Sequence, residues 1–281
     1  MRYAICNELF EGWDFARTCD FVARTGYQGI EIAPFTVAAD GVEVLRGPER
    51  AALRRRAADA GLAVVGLHWL LVGPAGLHLT SGDGAVRART GRYLSALAEC
   101  CADLGGQVLV LGSPRQRNLE AGTAPEEGLR RAADCLEPAV RRAETLGVRW
   151  CLEPLPAADT NFLNTLDEAL RLDRLLGAGP GLGVQLDVKS LCAEAADPAR
   201  PAPVIAAHAA AARRFGHVHA NDRNLGGPGS GDVDFQPIFA ALRAVGYDGW
   251  ISVEVFDFQP GAERIATASL TYLQATGGTS A

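Results

Sequence analysis

Acidic and histidine side chains recur at the ends of four short apolar segments in the second half of the chain. Glu153 follows "VRWCL", Asp187 ends "LGVQLD", and Glu254 lies within "SVEVF". The remaining segment, "GHVHA", carries two histidines, His217 and His219. If these segments are parallel strands, their carboxyl ends meet at one edge, where three carboxylates and an imidazole would converge. The three carboxylates would repel one another unless a cation lay among them. The set therefore predicts a divalent metal site of the Mn²⁺ or Mg²⁺ type.

The two histidines are predicted to differ in role. We expect alternation along the strand to point their rings to opposite faces, so that only one ring faces the metal. The other ring is expected to pack beneath a helix or to hydrogen-bond to a metal ligand.

Eight short β-rich segments alternate with helical patterns along the 281 residues. This alternation predicts a parallel α/β sheet closed into a (β/α)8 TIM barrel, as one domain spanning residues 1–281. An open doubly wound sheet is the alternative, but no G-x-G-x-x-G motif follows the first segment. The eight segments are 2–6, 27–33, 62–69, 107–112, 148–155, 182–188, 216–220 and 250–256.

Composition and charge argue against several classes of partner. The formal net charge is −6 and no basic face stands out, which argues against nucleic acid. We expect no signal peptide, and the longest mostly apolar stretch, 62–76, is too short to span a bilayer. Seven cysteines without C-x-x-C spacing suggest reduced thiols in the core of a cytoplasmic protein. Assembly into a homo-oligomer is left open.

The segments around these candidate ligands resemble those of the xylose-isomerase-like barrel proteins, and among them the ketose 3-epimerases. The resemblance covers most of the chain and is densest in its second half. In "LEPLPAADTNFLNT" it implies that Glu153 binds the metal and that Asp159, six residues later, contacts the substrate. The ligand set that the resemblance implies is Glu153, Asp187, His219 and Glu254. The implied cofactor is a divalent cation, first of all Mn²⁺, with Mg²⁺ or Co²⁺ as alternatives.

The resemblance also implies a reaction, which is the isomerisation or epimerisation of a small carbohydrate. A proton next to a carbonyl is removed to give an enediolate, which the cation stabilises. Glu153 and Glu254 would form the acid/base pair, with one removing the proton and the other returning it on the opposite face of the carbon.

Two positions depart from the pattern of the ketose 3-epimerases. Ser190 stands where those proteins have a substrate-binding histidine, and Leu225 stands where they have an arginine. We therefore expect the metal and the acid/base pair to be kept, and the substrate contacts to differ. The abasic-site endonucleases share the barrel but need several further histidines for their metal cluster, and this chain has five in total.

Further candidates for substrate binding come from other strand ends and from the residues that precede the glycine-rich loop, 226–231. Asn221 and Asp222 precede that loop and are expected to face a polyol, whereas His68 either lines the pocket or belongs to the core. A metal-dependent lyase, either a dehydratase or an enzyme that cleaves C-glycosides, is the alternative function. It would need a second acid for the leaving group, for which His68, Lys189 and Asp222 are the candidates. Glu31 is expected to be structural.

Overall fold

The computed structural model describes residues 1–277, in which eight parallel strands form a closed barrel in chain order. This confirms the predicted (β/α)8 TIM barrel. Both faces of such a sheet are covered, and accordingly every residue of the sixth strand is buried. The strands are β1 (Arg2–Cys6), β2 (Gly29–Ile32), β3 (Ala63–Leu67), β4 (Val108–Leu111), β5 (Arg149–Leu152), β6 (Leu182–Asp187), β7 (Phe215–Ala220) and β8 (Trp250–Val253).

The connections carry nine α-helices within residues 1–277, one more than predicted. The extra helix arises between β6 and β7, where Pro198 and Pro201 interrupt the chain and separate two short helices. Short 3-10 helices also lie in the connections, at 7–9, 34–36, 42–44 and 209–214. The α-helices are α1 (Phe15–Thr25), α2 (Gly47–Asp59), α3 (Gly84–Leu104), α4 (Pro125–Leu146), α5 (Leu166–Leu175), α6 (Val188–Glu194), α7 (Ala202–Ala207), α8 (Phe235–Ala244) and α9 (Ala262–Gly277).

The first strand pairs with β2 on one side and with β8 on the other. Ala4 of β1 pairs with Gly29 of β2 and with Ser252 of β8. Helices pack on the outer face of the strands, as Trp150 of β5 shows. It is fully buried, and its Nε1 donates a hydrogen bond to the carbonyl of Ala139 in α4 at 3.1 Å. Pairing between neighbouring strands and packing against the helices together place the strand ends.

The chain forms two compact units, and their four boundaries fall at the end of β2 after Ile32, inside α2 after Arg54, inside β3 after Val65 and inside β6 after Val184. The prediction of one domain over residues 1–281 stays a prediction, and residues 278–281 lie outside the described part. The first unit comprises Met1–Ile32, Arg55–Val65 and the chain from Gln185 onward, and the second comprises Ala33–Arg54 and Gly66–Val184.

Two predictions from composition can be compared with the fold. All seven cysteines are free and buried, in agreement with the predicted core thiols. Among the described residues, no helix has the length and apolar character needed to cross a membrane. The cytoplasmic location stays a prediction.

Candidate active site

Asp187 is both the last residue of β6 and the residue that caps α6. Its Oδ1 accepts a hydrogen bond from the Ser190 backbone N–H at 2.8 Å, and its Oδ2 accepts one from Asn221 Nδ2 at 2.6 Å. Aspartate is favoured here because its oxygen satisfies an N–H group of the first helical turn. The residue is buried and both oxygens are held, so the direction of the carboxylate is fixed.

The two histidines of β7 contact the same carboxylate, that of Glu31 in β2. His217 Nε2 lies 2.7 Å from Glu31 Oε2, and His219 Nε2 lies 3.1 Å from Glu31 Oε1. The prediction that the two rings point to opposite faces is therefore wrong. Residues two positions apart on a strand share a face, and only consecutive residues point in opposite directions. The hydrogen bond predicted between His217 and a metal ligand is made instead to Glu31, which in turn contacts the candidate ligand His219.

His219 is held between two carboxylates, one at each ring nitrogen. Its Nδ1 lies 3.1 Å from Glu254 Oε2, and its Nε2 faces Glu31. A neutral imidazole can donate to only one of them, whereas a protonated ring can donate to both. Burial opposes protonation of the ring, but the charges of Glu254 and Glu31 outweigh it and hold the pKa of His219 well above its usual value.

The Glu31 carboxylate is fully buried and depends on the histidines for its charge. Burial by itself would raise the pKa of Glu31, but the charges and hydrogen bonds of His217 and His219 hold it well below the usual range. The expected structural role of Glu31 thus takes the form of a bridge between the two rings, which fixes the orientation of His219.

Glu153 directly follows β5 and is tied to Arg117, a residue that the sequence analysis missed. Arg117 Nη1 donates a hydrogen bond to the carbonyl oxygen of Glu153 at 2.8 Å. Arg117 is 1% exposed; burial lowers the pKa of its guanidinium to about 10, against the opposing charges of Glu153 and Asp159. Arginine in a loop is usually exposed, so the only signal in the sequence was its position in the segment after the fourth strand.

The four predicted metal ligands come together at the carboxyl ends of their strands. Each of the four offers a ligand atom, and these atoms all lie within 4.8 Å of one another. Burial and the nearby charge of Glu254 raise the pKa of Asp187. Neighbouring carboxylates hinder each other's ionisation, and a cation between them stabilises their ionised forms. The donor set of three carboxylates and one imidazole can therefore hold a metal ion, and its residues are Glu153, Asp187, His219 and Glu254.

The predicted substrate contacts at the ends of β3, β5 and β6 differ in exposure. His68 directly follows β3 and is buried, whereas Asp159 is exposed in the turn after β5. Lys189, in the first turn of α6, is half-buried, and its Nζ lies 4.5 Å from the ring centre of Phe256. Their roles in substrate binding stay predictions.

Asn221 and Asp222 are both fully buried and bind other parts of the protein. Asn221 donates to Asp187 and accepts a hydrogen bond from the Lys189 backbone N–H at 2.8 Å. Asp222 accepts hydrogen bonds from the backbone N–H groups of Arg223 and Gly231, both at 2.9 Å. These contacts orient a candidate ligand through Asn221 and hold the glycine-rich loop through Asp222. The binding of a polyol by either residue stays a prediction.

Comparison with known proteins shows the family of the chain. The family model for the xylose isomerase-like TIM barrel matches residues 19–276. The chain belongs to this family. It is 32% identical over 219 residues to L-ribulose 3-epimerase of Mesorhizobium japonicum, a match that covers 76% of this chain and 69% of that protein. It is also 32% identical over 180 residues to ketose 3-epimerase of Arthrobacter globiformis, covering 63% and 59% of the two chains.

Solved structures show the same fold. The structure of D-psicose 3-epimerase from Clostridium cellulolyticum H10 superposes with a TM-score of 0.84 at 19% identity, over 99% of this chain and 100% of that chain. The predicted family is thus confirmed, as is the prediction of an enzyme of the isomerase and epimerase class.

The bridge between Glu31 and the two histidines predicts a measurable loss of stability on substitution. Glu31→Gln keeps the size of the side chain but turns one acceptor into a donor, so one histidine loses its contact with an acceptor oxygen of residue 31. We expect the free energy of unfolding of metal-free protein to fall by about 3 kcal/mol in urea titrations. The control is Glu49→Gln, which removes an exposed pair with Arg46 and should leave stability unchanged. Equal effects of the two substitutions would contradict the bridge.

Proposed function

We propose that this chain is a divalent-metal-dependent sugar epimerase that inverts a carbon next to a carbonyl through an enediolate. The observation that carries the proposal is the buried cluster of Glu153, Asp187, His219 and Glu254 in a chain of the xylose isomerase-like TIM barrel family. Relatives that are named as epimerases of ketoses support a small carbohydrate with a free keto group as the substrate.

The proposed cation is Mn²⁺, with Mg²⁺ and Co²⁺ as alternatives that accept similar ligands. Oxygen-rich sites with one imidazole suit these ions. His219 would bind through Nδ1, the nitrogen on the side of Glu254, while Nε2–H stays with Glu31. When bound, the cation supplies positive charge that stabilises the oxyanion of the substrate.

Glu153 and Glu254 are the proposed acid/base pair. They directly follow β5 and β8, which are three strands apart in the barrel. One carboxylate removes the proton from one face of the carbon, and the other returns a proton to the opposite face, which inverts the centre. Both residues are buried, so little water competes with them for the proton.

The charges around the strand ends support an unphosphorylated substrate. Four cationic side chains follow β4, β6 and β7: Arg115, which is exposed, and Arg117, Lys189 and Arg223, which have partners. Arg117 already faces two carboxylates, and Arg223 is paired with Asp232. Lys189 stacks on Phe256. A phosphate would need cations that are not already matched, so a neutral sugar suits the site better.

The lyase alternative needs a second acid placed to protonate a leaving group. Of the candidates for that role, Asp222 already accepts two backbone hydrogen bonds that fold its own loop. Lys189 and His68 stay possible donors on chemical grounds. The relatives that are named as epimerases favour the epimerase over the lyase.

A panel of keto-sugars in D₂O tests the proposed function. With added Mn²⁺, the wild-type protein should convert at least one ketose to the epimer at the carbon next to the carbonyl, with one deuterium incorporated at that carbon. Appearance of an aldose would identify an aldose–ketose isomerase, and release of water or an aglycone would identify a lyase. Either outcome would overturn the epimerase.

Two substitutions test the acid/base pair. Glu153→Gln and Glu254→Gln should each lower the epimerisation rate by about 10²–10⁴-fold, because each removes one positioned base. Metal content must be measured in the same samples, since each change also removes a charged ligand. A variant that holds its metal and still exchanges the substrate proton, but no longer inverts the carbon, would identify a two-base reaction. Loss of all exchange in both variants at full metal content would indicate a single base.

The histidine pair gives a separate test of the metal site. His219→Ala removes a ligand and should abolish Mn²⁺ binding measured by titration. His217→Ala leaves the four ligands in place and removes one partner of Glu31, so affinity should fall by about 10–100-fold. Equal loss of Mn²⁺ in the two variants would show that the roles are wrongly assigned.

A further inference from the structure

The carboxylate of Glu153 lies directly over Gly112, the residue that follows β4. A Cβ atom built on Gly112 would overlap Glu153 Oε2 and would stand 2.7 Å from Glu153 Cδ, closer than real atoms approach. The Cβ atom of Glu153 would be 3.6 Å away, which is an ordinary contact. A side chain at position 112 therefore conflicts with the end of the Glu153 side chain and not with the backbone beneath it.

The segment that begins at Gly112 also holds the backbone of Glu153. Arg117, five residues later, donates from Nη1 to the Glu153 carbonyl oxygen at 2.8 Å. The segment is itself fixed, because Ser113 Oγ accepts a hydrogen bond from the Leu71 backbone N–H at 3.0 Å. The peptide of Glu153 is thus held by Arg117, while the space for its carboxylate is left by Gly112.

We propose that Gly112 is a positioning residue, whose missing side chain sets where the Glu153 carboxylate lies. This inference rests on the proposed function, in which Glu153 is a metal ligand and a base. A ligand and base must be placed to within about 0.5 Å. A methyl group on residue 112 would push the carboxylate out of the space that it fills. Because a flexible side chain can yield, the fold should accept the change while the placement of the carboxylate does not.

The substitution Gly112→Ala separates these two effects. We expect the variant to fold and to bind Mn²⁺ about 10–100-fold more weakly than the wild type, as for other changes that misplace a metal ligand. The matched control is Gly84→Ala at the start of α3, where an added Cβ would meet only Arg87 Nη2 at 3.9 Å. The control should bind Mn²⁺ within about twofold of wild type, since it touches no ligand.

A double-substitution cycle shows whether the effect passes through the Glu153 carboxylate. Glu153→Ala removes the overlapping atoms and leaves only the Cβ contact. In that background, Gly112→Ala should leave the thermal midpoint of the metal-free protein unchanged, because the two substitutions act at one contact. The proposal is overturned if Gly112→Ala binds Mn²⁺ like the wild type, or if its full effect on the thermal midpoint persists in the Glu153→Ala background.

The thermal unfolding midpoints of four metal-free proteins provide a measurement that needs neither metal nor activity. The four are the wild type, Gly112→Ala, Glu153→Ala and the variant with both substitutions. Gly112→Ala should lower the midpoint in the wild-type background and leave it unchanged in the Glu153→Ala background. If Gly112→Ala fails to fold in both backgrounds, the substitution acts on the backbone and the proposal is wrong. If the wild type binds no Mn²⁺, the proposed function fails, and the midpoints still decide whether Gly112 makes room for the carboxylate.

Discussion

The burial of negative charge at the strand ends is the constraint on which the rest of the site depends. Glu31 is fully buried, and its two oxygens lie against the rings of His217 and His219. A buried carboxylate is costly unless it is paired and hydrogen-bonded, so β2 and β7 must bring these groups together for the chain to fold. The same contact turns the other nitrogen of His219 toward Glu254. The pairing that stabilises the barrel therefore also orients a candidate ligand.

Asp187 shows a similar overlap of structural and chemical roles. As the cap of α6 it accepts the Ser190 N–H, and Asn221 connects it to the segment after β7. Those bonds favour the ionised form, yet burial and the charge of Glu254 work against it and raise the pKa of Asp187. The folded chain thus carries an electrostatic cost at this position which a cation would offset. Residues whose pKa is shifted by burial and by a nearby charge are often found at functional sites.

Much of this arrangement was predictable, and the parts that were not have identifiable causes. The barrel and the strand ends follow from the alternation of apolar segments, so Glu153, Asp187 and Glu254 could be placed near one another. The orientation of the histidines followed from the same period of two, which the prediction applied to the wrong pair of positions. Arg117 and Gly112 were beyond a reading of single segments, because their roles depend on which side chain from the next strand lies against them.

Glu153 and Glu254 are chemically alike, but the structure supports them in different ways. Glu254 is held at its carboxylate, by His219 Nδ1. Glu153 is held at its carbonyl oxygen, by Arg117, and its carboxylate occupies the space above Gly112. A hydrogen bond to the carboxylate ties the position of Glu254 to the imidazole, whereas the position of the Glu153 carboxylate depends on its own backbone and on the space over Gly112. In the proposed reaction one carboxylate removes a proton while the other donates one, and different surroundings allow the two groups to hold these different protonation states.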